Sequence, residues 1–160
     1  MRFTTADLCD GFPESVRVAE TIFTDYGGVS SFAGPIETLR VYQDNALVAR
    51  LLETAGQGRV LVVDGGGSLR AALVGGRLGT LAHTNDWAGL IVNGCIRDAV
   101  EIRAVPLGVR ALGTCPVRSE KKGSGEQGEH LTFAGLVFSP GHYLYADEDG
   151  IIVADRNLMA

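Results

Sequence analysis

The residues best suited to chemistry are Arg97 and Asp98, with Glu101 three positions on. A guanidinium clamps a carboxylate through its planar fork, and an adjacent carboxylate ligates a hard divalent ion. Together they can hold a 2-oxo acid against a metal. The same spacing also fits an ordinary helix start, with Asp98 as cap, Glu101 completing a capping box and Arg97 in a surface ion pair. Position strengthens the chemical reading and leaves the helix-start reading open. The dipeptide follows Gly89-Leu90-Ile91-Val92-Asn93-Gly94, a buried strand by pattern, and ligands of α/β sheets gather beyond the carboxyl ends of strands. Gly75 and Gly76, followed by Arg77 and Leu78, precede the helix that leads into this strand. A helix N-terminus with glycine access presents N–H groups and a positive dipole end to a carboxylate, although a glycine pair also simply breaks a helix.

A second strand end is Asp64-Gly65-Gly66-Gly67-Ser68. Its glycines allow either an anion nest of backbone N–H groups or a tight strand-to-helix turn. A dinucleotide or methyl-donor loop is rejected: the spacing is not G-x-G-x-x-G, and the next strand ends in Asn93 where a ribose-binding acid is needed. His83, His130 and His142 lack metal-ligand spacing, and Cys95 reads as a small core residue beside the proposed site.

The elements that must position these residues alternate. Thr4 or Thr5 can cap a short N-terminal helix that Gly11 and Pro13 break. Residues 35–41 alternate as a strand, and Asp44 can cap a helix carrying Leu47, Val48, Leu51, Leu52 and Ala55, which Gly56 can end. The unbroken run Val60-Leu61-Val62-Val63 predicts a strand buried on both faces. Helical segments are predicted over residues 69–73 and 78–88, and a third strand over Val109–Gly113. Residues 119–129 are too polar to hold a core and read as an exposed or mobile loop. Beyond it, residues 131–134, 136–139, 143–146 and 150–154 read as short strands.

The 160 residues suit one domain, residues 1–160, and a hydrophobic share of 46% with 21% charged is that of a folding chain. A formal charge of -5 argues against gripping nucleic acid through its phosphates. All but two of the 14 basic residues are arginine, the residue of forked carboxylate recognition. Three unspaced cysteines point to a reducing cytoplasm. No signal peptide or membrane span is expected.

The chain resembles the RraA-like proteins, which include a regulator of ribonuclease E and the divalent-metal-dependent 4-hydroxy-4-methyl-2-oxoglutarate aldolases. The resemblance runs nearly end to end, through residues 5–10, 32–34, 44–45, 60–68, Gly94-Cys95-Ile96-Arg97-Asp98 and 145–150. It implies an α/β fold, a swivelling β/β/α-type sandwich assembled as a ring-shaped homotrimer with sites near subunit boundaries. It makes Asp98 the ligand of Mg²⁺ or Mn²⁺ and Arg97 the clamp on the substrate carboxylate, these two being the catalytic pair. The backbone of Gly75, Gly76, Arg77 and Leu78 then completes the substrate cradle. The implied activity is a lyase releasing pyruvate, with oxaloacetate decarboxylation as a secondary activity. The alternative is a non-catalytic inhibitor that binds ribonuclease E or its helicase partners without touching RNA. The aldolases carry D-x20-R-D, and here Gly76 stands where the first aspartate belongs, giving G-x20-R-D-x-x-E. They also borrow an acid from a neighbouring subunit. Loss of an outer acid costs about 10–100-fold in metal affinity or activity, so a weak or absent aldolase is expected, and the inhibitor alternative gains accordingly.

Overall fold

A computed structural model describes residues 2–160. In chain order the first elements are α1 (Thr5–Gly11), β1 (Arg17–Val18), β2 (Thr24–Asp25), β3 (Phe32–Arg40), α2 (Ala46–Leu52) and β4 (Val60–Asp64). Next come β5 (Ala72–Val74), α3 (Gly76–Thr84), β6 (Gly89–Ile96), α4 (Ala99–Arg103) and β7 (Gly108–Thr114). The last are β8 (Glu126–Gln127), β9 (Leu131–Phe133), β10 (Leu136–Phe138), β11 (Tyr143–Asp147) and β12 (Gly150–Ala154). One large sheet runs β1-β12-β11-β3-β4-β6-β7-β2, with β5 also on β6 and β8 also on β3, while β9 and β10 form a separate hairpin. The central pairs β3·β4, β4·β6 and β6·β7 are parallel. The flanking pairs are antiparallel.

Burial follows the unbroken apolar runs. Leu61, Val63, Leu90 and Val92 pack among Leu52, Leu78 and Ile102 of the helices. From the other face Val60, Val62 and Ile91 pack against Leu131, Phe138 and Leu144. Each such side chain stabilises the fold by about 1.5–3 kcal/mol relative to exposure. The result is a mixed α/β fold with one large mixed sheet and few helices. No helix among the described residues is long and apolar enough to cross a membrane.

Phe32 supports the amino ends of β6 and β7. Its ring lies where a side chain on Gly89 or Gly108 would stand, so both positions must be glycine for steric reasons alone. The Arg110 guanidinium covers the ring at 5.2 Å from its centroid.

Two expectations are corrected. Residues 69–73 are not helical: β4 leaves β6 after Asp64, and β5 re-enters the same lane beside Cys95 and Ile96. A short apolar stretch is ambiguous in period, and the unpaired end of β6 decides it as strand. The helix that follows begins at Gly76. Helix α2 likewise stops at Leu52, ahead of Gly56, whose missing side chain makes room for Trp87.

Residues 119–129 are also more fixed than their polarity suggests. The Ala72 N–H donates to the Val117 carbonyl at 2.8 Å, and Ser119 Oγ donates to the Ala72 carbonyl at 2.7 Å. Glu120 N–H bonds the Gln43 carbonyl at 2.8 Å, and Asn45 N–H bonds the Glu120 carbonyl at 3.0 Å. The Asp44 carboxylate, 2% exposed, accepts the backbone N–H groups of Lys122, Gly123 and Ser124 at 2.9–3.3 Å, besides that of Ala46. Burial pushes the Asp44 pKa up, but the N–H donors of Ala46, Ser124, Gly123 and Lys122 outweigh it and hold it below its ordinary value.

Gly108→Ala should destabilise the protein by about 1–3 kcal/mol in urea unfolding, by driving a methyl into Phe32. Gly11→Ala, where a side chain meets nothing, should leave stability unchanged or slightly raised. Asp44 has a pKa depressed by folding, so its stabilisation is full above its unfolded value of about 3.9 and is lost as pH falls through the lower folded value. The stability gap between the native chain and Asp44→Asn should therefore be widest near neutrality and shrink below about pH 4. A gap independent of pH would contradict the clamp.

Candidate functional site

The eight residues of β6 are buried throughout, and the chain surfaces only at Arg97, beyond the strand's carboxyl end. Arg97 N–H donates to the Val74 carbonyl at 2.9 Å, extending the pairing with β5, and its Nη1 reaches the Pro116 carbonyl at 3.4 Å. Asp98 then takes φ 57° and ψ 46°, the left-handed region that non-glycine residues occupy at a cost of about 1–3 kcal/mol. This turn carries the Asp98 side chain away from α4. Although Asp98 occupies the cap position of α4, its side chain makes no cap bond there. Instead Oδ2 accepts the N–H of Gly76 at 2.9 Å, in the first turn of α3. The capping-box alternative is thereby excluded.

Gly75 and Gly76 supply room rather than backbone twist, since Gly75 is extended at φ -115° and ψ -173°. A Cβ on Gly75 would stand 2.9 Å from Asp98 Oδ2, and one on Gly76 would fall on the Glu101 carboxylate. At the position where the resemblance expects an acid and the sequence has Gly76, the side-chain space is thus filled by the acid of Glu101, projected from α4. Asp98 and Glu101 are the two carboxylates packed over this glycine pair. Among the described residues no cluster of three or more His, Cys, Asp or Glu has metal-binding geometry.

Gly75, Arg77, Leu78, Arg97 and Asp98 line one cleft of about 80 Å³. Gly76 lies buried behind it, acting through its N–H. The first-turn N–H groups of Arg77 and Leu78 have no acceptor within α3, as at any helix start. The site residues read from the sequence are therefore brought together. Asn45, Ala72, Arg118, Ser119 and Lys121 also line the cleft, and sequence reasoning missed them. A signal was present for Arg118 and Lys121: they follow the carboxyl end of β7, the same kind of place that drew attention to Arg97.

The remaining candidates fall away. In the turn after β4, Gly65 and Gly67 both donate to the Asn93 carbonyl and Gly66 donates to Asp64 Oδ1, so no nest is free for an anion. Burial, and then Cys115, push the Cys95 thiol up, which leaves it a core residue. His130 Nδ1 is paired with Ser139 Oγ at 2.9 Å. A larger cavity of about 330 Å³ borders Arg110, whose Nη2 serves the carbonyls of Ser30 and Asp147 at 2.9 Å while its buried Nη1 has no hydrogen-bond partner among the described residues and stands 3.9 Å from Asp25 Oδ1.

Several known proteins match the chain over nearly its whole length. A protein of Aromatoleum aromaticum bearing the name "Putative 4-hydroxy-4-methyl-2-oxoglutarate aldolase" is 52% identical over 159 residues, covering 99% of this chain and 100% of that protein. One of the same name from Laribacter hongkongensis matches equally, at 52% over 159 residues. Among solved structures, one described as an S-adenosylmethionine: 2-dimethylmenaquinone methyltransferase from Geobacillus kaustophilus HTA426 superposes with a TM-score of 0.96 at 51% identity, covering 98% of each chain. The RNA-processing inhibitor RraA from Thermus thermophilis superposes with a TM-score of 0.94 at 46% identity, covering 98% of this chain and 94% of that one. The family description "RraA-like: Aldolase/RraA" matches residues 5–153, and this chain belongs to that family.

Proposed function

We propose that the protein is a divalent-metal-dependent lyase that cleaves 4-hydroxy-4-methyl-2-oxoglutarate to pyruvate and also decarboxylates oxaloacetate. The observation that carries this reading is the joint presentation of Arg97 and Asp98 in one cleft at a strand end, with Asp98 locked onto the Gly76 N–H. The donor set fits Mg²⁺ or Mn²⁺, which keep several waters and take one or two carboxylates plus substrate oxygens: Asp98 lines the cleft, and Glu101 packs behind it over Gly76. Asp98 would hold the ion, with Glu101 at its side. When bound, the ion draws electron density from the 2-oxo group and stabilises the charge left when the C3–C4 bond breaks or CO2 departs.

The chain's own residues do the positioning. The Arg97 fork holds the substrate carboxylate, and the free N–H groups and positive dipole end of α3 at Arg77 and Leu78 face the same anionic load. We assign the acid expected at Gly76 to Glu101, so the Gly76 departure shifts that carboxylate to another helix instead of removing it. An adenosyl-donor reading is disfavoured because the glycine turn after β4 has no free N–H.

A second reading rests on a different surface. Glu20, Asp25, Glu148 and Asp149 border the larger cavity, an acidic face suited to a basic segment of ribonuclease E or a helicase. No binding of ribonuclease E fragments in a low-salt pull-down would dismiss it.

With Mg²⁺ or Mn²⁺, a coupled assay should detect pyruvate from both substrates, and Asp98→Ala should reduce it to background. Turnover that survives Asp98→Ala, or none above background in the native protein, overturns the lyase reading. Glu101→Gln should weaken metal affinity by about 10–100-fold in a direct metal titration. Arg97→Lys should raise KM, because an ammonium cannot replace the fork.

A further inference from the structure

We propose that the cavity between β1, β2 and the β11–β12 turn binds a free cationic α-amino acid, its carboxylate on Arg110 and its positive groups on the surrounding acids. This does not rest on the lyase reading, and it claims the face that the second reading gives to a basic segment. Glu20, Asp25, Asp147, Glu148 and Asp149 line the cavity against a single base, Arg110. Among the described residues Glu20, Glu148 and Asp149 form no ion pair. Acids alone would suit any cation.

Arg110 narrows the ligand. It is 5% exposed, and its plane is fixed by the carbonyls of Ser30 and Asp147 on Nη2 and by the Phe32 ring beneath. Its buried Nη1 has no hydrogen-bond partner among the described residues. Asp25 Oδ1, across 3.9 Å, is beyond hydrogen-bond length and accepts the Gly27 N–H at 3.1 Å, while Oδ2 takes the Ser30 hydroxyl at 2.8 Å. Both oxygens of Asp147 are likewise engaged, by Thr5 and by the Asp149 N–H. A buried charged donor without an acceptor is costly, and a ligand oxygen removes that cost. It reaches Nη1 as the Asp25 side chain, 27% exposed, gives way. A simple cation would leave Nη1 unsatisfied, and a simple anion would be repelled by the acids. A molecule with a carboxylate at one end and positive groups beyond it meets both demands. The apolar wall of Val18, Ala19, Phe23 and Ile151 suits the methylene stem between them.

The probe is L-arginine, titrated by calorimetry into the native protein. Its comparators are agmatine, which keeps the side-chain cation without the carboxylate, and the amide of N-acetyl-L-arginine, which imitates a residue inside a peptide. L-arginine should bind saturably, about 10–100-fold more tightly than either. Replacing the exposed pair, Glu148→Gln with Asp149→Asn, should weaken L-arginine by about 10-fold. Arg110→Lys should bring L-arginine down to the affinity of agmatine, because one ammonium cannot serve both carbonyls and the ligand. If that variant does not fold, the ligand series and the acidic pair decide. No saturable binding of L-arginine, equal binding of L-arginine and agmatine, or indifference to the acidic pair overturns the site. Binding of the blocked amide as tight as that of L-arginine also overturns it, and gives the face to a peptide.

Discussion

The hydrogen bond from Gly76 N–H to Asp98 Oδ2 ties two strand ends into one site. It joins the segment after β5 to the segment after β6, elements that are neighbours in the sheet but 22 residues apart in the chain. The left-handed turn at Asp98 is what makes the bond reachable. In the usual helical or extended region the carboxylate would be directed elsewhere, and Arg97 would stand without its acid. The energy held in that turn is offset by a charged hydrogen bond and by a negative group at the positive end of α3. The glycines opposite complete the arrangement, since a side chain at Gly75 or Gly76 would collide with Asp98 or Glu101.

The parallel core was legible from the sequence because burial on both faces leaves a plain mark, an apolar run with no alternation, at Val60–Val63 and again in β6. The place of the candidate site was legible for a related reason: the residues after such a run stand at the open end of the sheet. What was ambiguous was the job of Asp98 and Glu101. A spacing of three puts two carboxylates on one side of a helix start, and it is the same whether they cap their own helix or reach across to another. Only the backbone angles at Asp98 separate the two.

Other features were hidden by distance along the chain. Nothing in Ser119-Glu120-Lys121-Lys122-Gly123-Ser124 announces that its backbone is pinned, because the carboxylate that pins it belongs to Asp44, 78 residues away from Lys122. Local polarity therefore suggested a solvated loop and concealed the bases it delivers to the cleft. The strand at Ala72–Val74 was lost in a similar way: three residues show no period, and what makes them a strand is the vacant edge left on β6 where β4 departs.

The positive cleft sits in a molecule of net charge -5. At physiological ionic strength fields fade over a Debye length of about 8 Å, so an approaching anion is weakly repelled by most of the surface and drawn in only at short range. Such a contrast acts as a filter on approach direction: an extended polyanion would meet the negative surface along most of its length, while a small anion would meet mainly the attractive zone.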